Sequence, residues 1–219
     1  MPGYQVKIET VTIGGTDYQI RSLLDSQQYF DPEGLAEMAG IAPASWPLFG
    51  QLWPSARVLA LAMQTHELAG KRILEVGAGL ALASLVIHGR AGDITASDCH
   101  PLSGAFLEQN LLLNHLSPLK YQTGDWAGSN PELGNFDLII GSDVLYERQQ
   151  PAQLATFLHH HAAPGAEIII VDPDRGNRAG FCREMATLGY GCTTRQAERF
   201  LETGAPYKGR FLTFSQARD

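Results

Sequence analysis

No window of this 219-residue chain approaches the roughly 20 consecutive apolar residues that a membrane-spanning helix needs. The opening "MPGYQVKIETV" likewise has no apolar core behind a basic start. A soluble, cytoplasmic protein with no membrane partner is expected. Cysteine is scarce: Cys99, Cys182 and Cys192 are an odd number without C-x-x-C spacing, which fits reduced thiols and implies no zinc site. Cations are few as well. With 16 Lys and Arg against 23 Asp and Glu the net charge is -7, and neutralising many phosphates needs clustered basic residues, so nucleic acid is a poor partner. Internal repeats, charge blocks and low-complexity linkers are absent. What remains is 44% hydrophobic, enough for one domain with a sizeable core and cramped for two.

The residues that are there alternate by period. "QVKIETVTIGGTDYQIRSL" places apolar and polar residues in turn on both sides of Gly14-Gly15, the pattern of a hairpin whose tight turn needs positive φ. "FDPEGLAEMAGIAPASWPLFGQLWPSA" follows, with a short helix expected from about Pro32 to Ala39 and the look of a lid or pocket edge carrying exposed aromatics. Residues 1–52 thus read as a hairpin and lid-like segment, and 53–219 as the main domain, in one compact unit.

Pro54 is placed to open a helix to about Leu68, with Val58, Leu59, Ala62 and Met63 on one face and Gly70 ending it. Strands are expected at Arg72–Val76, Asp93–Ser97, near Tyr121, in "FDLIIGSD" and in "EIIIVD". Helices are expected at Ala81–His88 and Pro101–Asn114, from near Pro151, and at Gly180–Leu188. Short, nearly continuous apolar strands separated by helices mean an α/β fold with a mostly parallel sheet covered on both faces. The tail breaks the alternation: "YGCTTRQAERF" and "GRFLTFSQA" are joined without a helix, so they form an antiparallel pair at the sheet edge.

The chemistry centres on "RILEVGAGLALASLV", a strand, a glycine turn and a helix. Such a unit holds NAD(P), a flavin, ATP or S-adenosylmethionine. Its Gly77-x-Gly79-x-Ala81 spacing matches neither the dinucleotide fingerprint nor a P-loop. Asp98 closes the second strand, where an acid grips ribose hydroxyls, and the same Asp before Pro101 is suited to capping a helix. "TGDW" puts Asp125 and Trp126 after the third strand, and "GSDVLYE" puts Asp143 and Tyr146 after the fourth. A carboxylate followed by an aromatic suits adenine, although Trp53 and Trp126 taken singly read as packing residues.

His159, His160 and His161 are consecutive on a helix, point in different directions and cannot share one metal ion; they read as a solvated helix end near Pro164. Asp172, Asp174 and Arg175 read as a turn with a surface ion pair.

Together, "LWPSA", "LEVGAG", the "SD" ending the second strand, "DW" and the D-x-x-Y of "SDVLY" resemble the class I seven-β-strand methyltransferases, within them the family 16 branch of protein lysine methyltransferases. "VDPDRG" is similar to the D-P-G-R turn of bacterial members close to the electron-transfer-flavoprotein lysine methyltransferases, also labelled predicted nicotinamide methylases. The resemblance runs from about Trp53 to the C-terminus. It implies a Rossmann-like, doubly wound, seven-stranded, mostly parallel sheet with an antiparallel C-terminal strand.

It also implies S-adenosylmethionine as cofactor. Glu75, Gly77, Ala78 and Gly79 would support its amino-acid moiety, Asp98 and Cys99 its ribose side, Asp125 and Trp126 its adenine. Ser142 borders it, and Trp53 closes the pocket from the N-terminal side. Asp143 and Tyr146 would line the transfer site. Many members carry a third glycine where this chain has Ala81; if Ala81 begins the helix with helical dihedrals, the change only tightens packing. The expected activity is N-methylation, with a lysine of a protein as the acceptor. A small amine or nicotinamide-like acceptor is the first alternative, and a cofactor-binding module without catalysis the second.

Overall fold

The structure, a computed structural model, describes residues 3–147, 150–197 and 207–216. The chain opens with the expected hairpin, β1 (Val6–Ile13) and β2 (Thr16–Leu23), turning through Gly14 and Gly15 at φ 57° and 84°. Glycine takes positive φ without a Cβ clash, and a turn with two such residues twists as the strands do. The hairpin is a separate two-stranded sheet. Asn114 and Asn110 on helix α4 (Ser103–Leu113) and its cap receive the Gln19 and Arg21 N–H groups, each at 2.8 Å. The two amides thus stand in for a neighbouring strand along the open edge of β2.

A one-turn helix α1 (Leu35–Met38) and a 3-10 turn at Trp46–Gly50 lead to α2 (Pro54–Met63). α2 is five residues shorter than the pattern predicts. Beyond Gln64 the chain bends, and the Arg90 guanidinium bonds the Met63 and His66 carbonyls, satisfying acceptors that a longer helix would have used internally. Then follow β3 (Arg72–Val76), α3 (Leu82–Gly89), β4 (Asp93–Asp98), α4, β5 (Lys120–Thr123), β6 (Phe136–Ser142), α5 (Gln150–His161), β7 (Ala162–Asp172), α6 (Arg178–Thr187), β8 (Tyr190–Gln196) and β9 (Arg210–Gln216). The seven-stranded sheet has the order β5-β4-β3-β6-β7-β9-β8, and β9 alone runs against its neighbours. The antiparallel pair at the edge is as expected; the last three residues of "YGCTTRQAERF" lie outside the described residues.

Alternation along the strands divides the core. Ile73, Leu138, Ile140, Ile169 and Val171 face α2, α3, α4 and the hairpin, while Leu74, Val76, Ile139, Ile168 and Ile170 face α5 and α6. One apolar cluster includes Val11, Ile20 and Trp46 from the first 52 residues together with Val58, Leu85 and Phe106. The 46–50 segment is packed into the core, so its aromatics are not exposed as expected. Trp46 and Phe49 are buried, and Phe49 lies flat on His100 with ring centres 3.7 Å apart. The histidines also differ from the sequence reading: β7 begins directly after His161, and buried His161 holds the Gly134 carbonyl at 2.7 Å. Among the described residues no helix is long and apolar enough to cross a membrane.

Candidate functional site

In an open α/β sheet, ligands sit beyond the carboxyl ends of the strands. There the turn after β3 runs left-handed at alternate residues, with φ 57° at Gly77, 52° at Gly79 and 57° at Ala81. A Cβ on Gly77 would stand 2.7 Å from a Val144 methyl, and one on Gly79 would stand 2.8 Å from the Phe49 carbonyl oxygen. Both positions therefore demand glycine for space as well as dihedral. Ala81 does not begin the helix with helical dihedrals as expected: it precedes α3 in the left-handed region, where a Cβ crowds the following carbonyl.

Asp98, at the end of β4, is buried. Its Oδ2 accepts from the Gly79 N–H and its Oδ1 from the His100 N–H, both at 2.8 Å. Burial raises its pKa, against the pull of these amides. Asp98 thus ties the glycine turn to the bend at His100, while α4 starts only at Ser103. The Ser103 hydroxyl and the Cys99 N–H also act on this carboxylate. Glu75 is wholly enclosed and turned towards α3: Oε2 accepts the Ser84 N–H at 2.8 Å and the Ser84 hydroxyl. Burial pushes its pKa up to about 7. Ala78 donates its N–H to the Ser97 carbonyl at 3.0 Å. Cys99 is exposed as a residue, yet desolvation of its thiol and then the Asp98 charge push its pKa up to about 12, which keeps it an unreactive thiol.

Trp126 comes to the same turn from the far edge of the sheet, its ring 3.4 Å from the place a Gly77 side chain would take. Exposed Asp125 accepts the Ala127 N–H at 2.9 Å, and the Asn130 side chain holds both the Asp125 N–H and its carbonyl. Trp53, half-buried, turns its indole N–H onto the Leu48 carbonyl at 2.9 Å, against the 3-10 turn.

Ser142 ends β6 beside Val171, and the chain then turns through Asp143 at φ 55°. Val144 packs into the glycine turn, so the turns after β3 and β6 interlock. Tyr146 is 40% exposed, and packing around its ring pushes its hydroxyl up to about 12 despite a bond to Gln150. Among the described residues no group of three His, Cys, Asp or Glu could hold a metal ion.

Four residues near these turns have partners that the sequence does not announce. Arg175 is not part of a separate surface pair: it forks onto both oxygens of Asp143. Asp172 is no surface residue either, being 0% exposed. Tyr207 and Ser55, both buried and 152 positions apart, share a 2.6 Å bond that brings the start of α2 to the chain ahead of β9. The only hint of the first was a charge set in a Pro-Asp turn.

A family model described as lysine methyltransferase matches residues 47–185. The electron transfer flavoprotein beta subunit lysine methyltransferase of Mus musculus is 28% identical over 148 residues, covering 66% of this chain and 57% of that protein. The calmodulin-lysine N-methyltransferase of Arabidopsis thaliana is 29% identical over 150 residues, 63% of this chain and 49% of that one. This chain spans about half the length of the curated relatives it matches. Among solved structures, a methyltransferase from Pyrococcus furiosus superposes with a TM-score of 0.59 at 17% identity, over 77% of this chain and 88% of that one. Magnesium protoporphyrin IX methyltransferase from Synechocystis, solved with bound SAM, gives 0.55 at 19% identity over 74% and 77%.

Proposed function

This chain belongs to the lysine methyltransferase family, and from that premise we propose that it methylates the amine of a lysine side chain in a protein, with S-adenosylmethionine as donor. The observation that carries the reading is the bare-backbone cradle at Gly77 and Gly79, roofed by Trp126 and interlocked through Val144 with the Asp143–Tyr146 turn. The residues present fit the cofactor. The glycines let a ligand approach the backbone, Asp98 ends β4 where an acid meets a ribose diol, and the Trp126 ring offers a flat apolar surface to adenine.

Asp125 is assigned to the adenine amine, and Ala78 and Cys99 to backbone contact. Glu75 acts from beneath, fixing the start of α3 through Ser84 and so the shape of the turn. Ser142 and Trp53 are assigned to the rim. Bound there, S-adenosylmethionine supplies a methyl group on positively charged sulfur, which leaves as a neutral thioether when a nitrogen lone pair takes the methyl.

The chain's part is alignment and exclusion of water. A lysine amine has an unperturbed pKa of about 10.4 and must shed its proton before it can attack. The Tyr146 hydroxyl keeps its own proton at neutral pH, so it orients the amine by hydrogen bonding and is not the base. The acceptor's proton therefore goes to water at the exposed side of Tyr146.

Incubation with isotopically labelled donor and a cell extract tests the reading. Label is expected on lysine residues of protein. Label confined to small molecules assigns the small-amine alternative, and cofactor binding without any transfer assigns the non-catalytic one.

A further inference from the structure

Between β7 and α6 the chain forms an arm that reaches back over the turn after β6. Arg175 donates from Nε to Asp143 Oδ1 at 2.5 Å and from Nη2 to Oδ2 at 2.9 Å. Asn177, the residue ahead of α6, donates to the Leu145 carbonyl at 2.9 Å. Both turns contain a non-glycine residue in the left-handed region, Asp143 at φ 55° and Asp174 at φ 72°. Such conformations persist only where the surroundings enforce them, and they cluster at functional sites. The Asp143 side chain is 7% exposed and that of Arg175 41%, so the cation covers a buried acid.

We propose that Arg175 is a positioning residue of the transfer site, holding both oxygens of Asp143 and cancelling its charge so that the site receives the acceptor amine without its proton. The proposal rests on the reading of the Asp143–Tyr146 turn as the transfer site. A lone buried carboxylate beside the acceptor would pair with an ammonium and keep the proton on nitrogen, where no lone pair remains for attack. A carboxylate already matched by a fixed guanidinium offers no net charge, and a cation within a few ångströms opposes a second one.

Among the described residues, the other charged or titratable groups facing this point are Asp172 at the end of β7, Asp174 and Arg178 around the start of α6, Tyr207 ahead of β9, Tyr146 beyond Asp143 and, around Tyr146, Cys99, Asp98 and Glu147, with Asp98 bound to the Gly79 and His100 N–H groups. Asp174 is engaged by Arg178 and lies 3.6 Å from Arg210. Asp172 turns Oδ2 to the Asp174 N–H at 3.1 Å. Among the described residues, then, Arg175 is the counter-ion that reaches Asp143.

The test measures initial rates of labelled methyl transfer from S-adenosylmethionine to the proteins of a cell extract across neutral and alkaline pH. It compares the wild type with Arg175→Gln and Arg175→Lys, and calorimetry follows cofactor affinity in each. Arg175→Gln is expected to keep cofactor affinity within about twofold. Its rising pH limb should move about one unit to the alkaline side, which makes it about tenfold slower at neutral pH. Arg175→Lys restores the charge without the fork and should return the limb most of the way.

If Arg175→Gln slows transfer by one factor at every pH, or is faster at neutral pH, Arg175 does not set the charge of the site and the proposal is overturned while the methyltransferase reading stands. A wild type that binds cofactor and labels nothing overturns both. Label in small molecules alone moves the reading to a small amine, and the same pH comparison on that acceptor decides the role of Arg175.

Discussion

The turns after β3 and after β6 end neighbouring strands and begin alike, with Gly77 at φ 57° and Asp143 at φ 55°, yet they are built from opposite materials. The first exposes backbone: two glycines with no room for a Cβ, while the Asp98 carboxylate is spent partly on the Gly79 amide and that of Glu75 is turned inward to Ser84. The second is built from side chains: a buried acid, the guanidinium that covers it and a partly exposed tyrosine. A cradle for one invariant ligand gains from backbone, which cannot rotate away and costs no side-chain entropy to order. A site that must manage a proton needs groups that carry and cancel charge, and only side chains do so. The β3 turn should therefore govern affinity and the β6 turn rate.

Breaking the backbone side gives the largest effect. Gly79→Ala combines a Cβ in a left-handed conformation with a 2.8 Å approach to the Phe49 carbonyl, for a loss of about 3 to 4 kcal/mol in stability or cofactor binding. Melting temperature and calorimetric affinity should both fall. An unaffected affinity would remove the cradle from the site.

The support under that turn carries a pH signature. Glu75 has a pKa of about 7 in the folded chain, above its ordinary value of 4.5. The native state thus holds a proton that the unfolded chain has lost, and this contribution, full below about pH 4.5, disappears as pH rises through about 7. Relative to Glu75→Gln, wild-type stability should fall by on the order of 3 kcal/mol across that window. Denaturant titrations of both proteins at several pH values measure the difference, and a flat difference means that Glu75 is ionised when folded.

On the β6 side, Tyr146→Phe removes only a hydroxyl. Single-turnover transfer should slow about tenfold, the equivalent of one positioning hydrogen bond, with cofactor affinity unchanged. Loss of affinity instead of rate would reverse the contrast between the two turns.

The smallest effect sharpens the first turn. Ala81→Gly relieves left-handed strain but gives up a buried methyl and adds backbone entropy to the unfolded chain, so stability should stay within about 1 kcal/mol. Ala81→Val, whose branched side chain tolerates that conformation worst, should lose more than about 2 kcal/mol. Thermal melts of the pair tell the strained turn from a helical one, in which the order would be reversed.

Much of this was legible in the sequence because it is local. The edges of β3, the Gly14-Gly15 hairpin and the antiparallel tail follow from side-chain period and turn chemistry, which act within a few residues. The glycines of "LEVGAG" marked the turn after β3 for the same reason. The left-handed Ala81 was not legible, since alanine is the best helix former and nothing local announces a conformation that the packing of α3 imposes. The early end of α2 depends on Arg90, more than 20 residues onward, capturing its carbonyls.

By itself, then, the sequence determined an α/β sheet with one antiparallel strand, the hairpin before it, and the strand ends from which a crevice is assembled. Only the tertiary structure decided what each polar group there faces: Asp98 bound to Gly79, Glu75 turned inward to Ser84, Trp126 brought against Gly77, and Asp143 claimed by Arg175 from 32 residues away. Periodicity is a property of neighbours along the chain. The partner of a buried charge is chosen by desolvation, which penalises every arrangement that leaves it unmatched, and it is met wherever the fold brings a complementary group within reach.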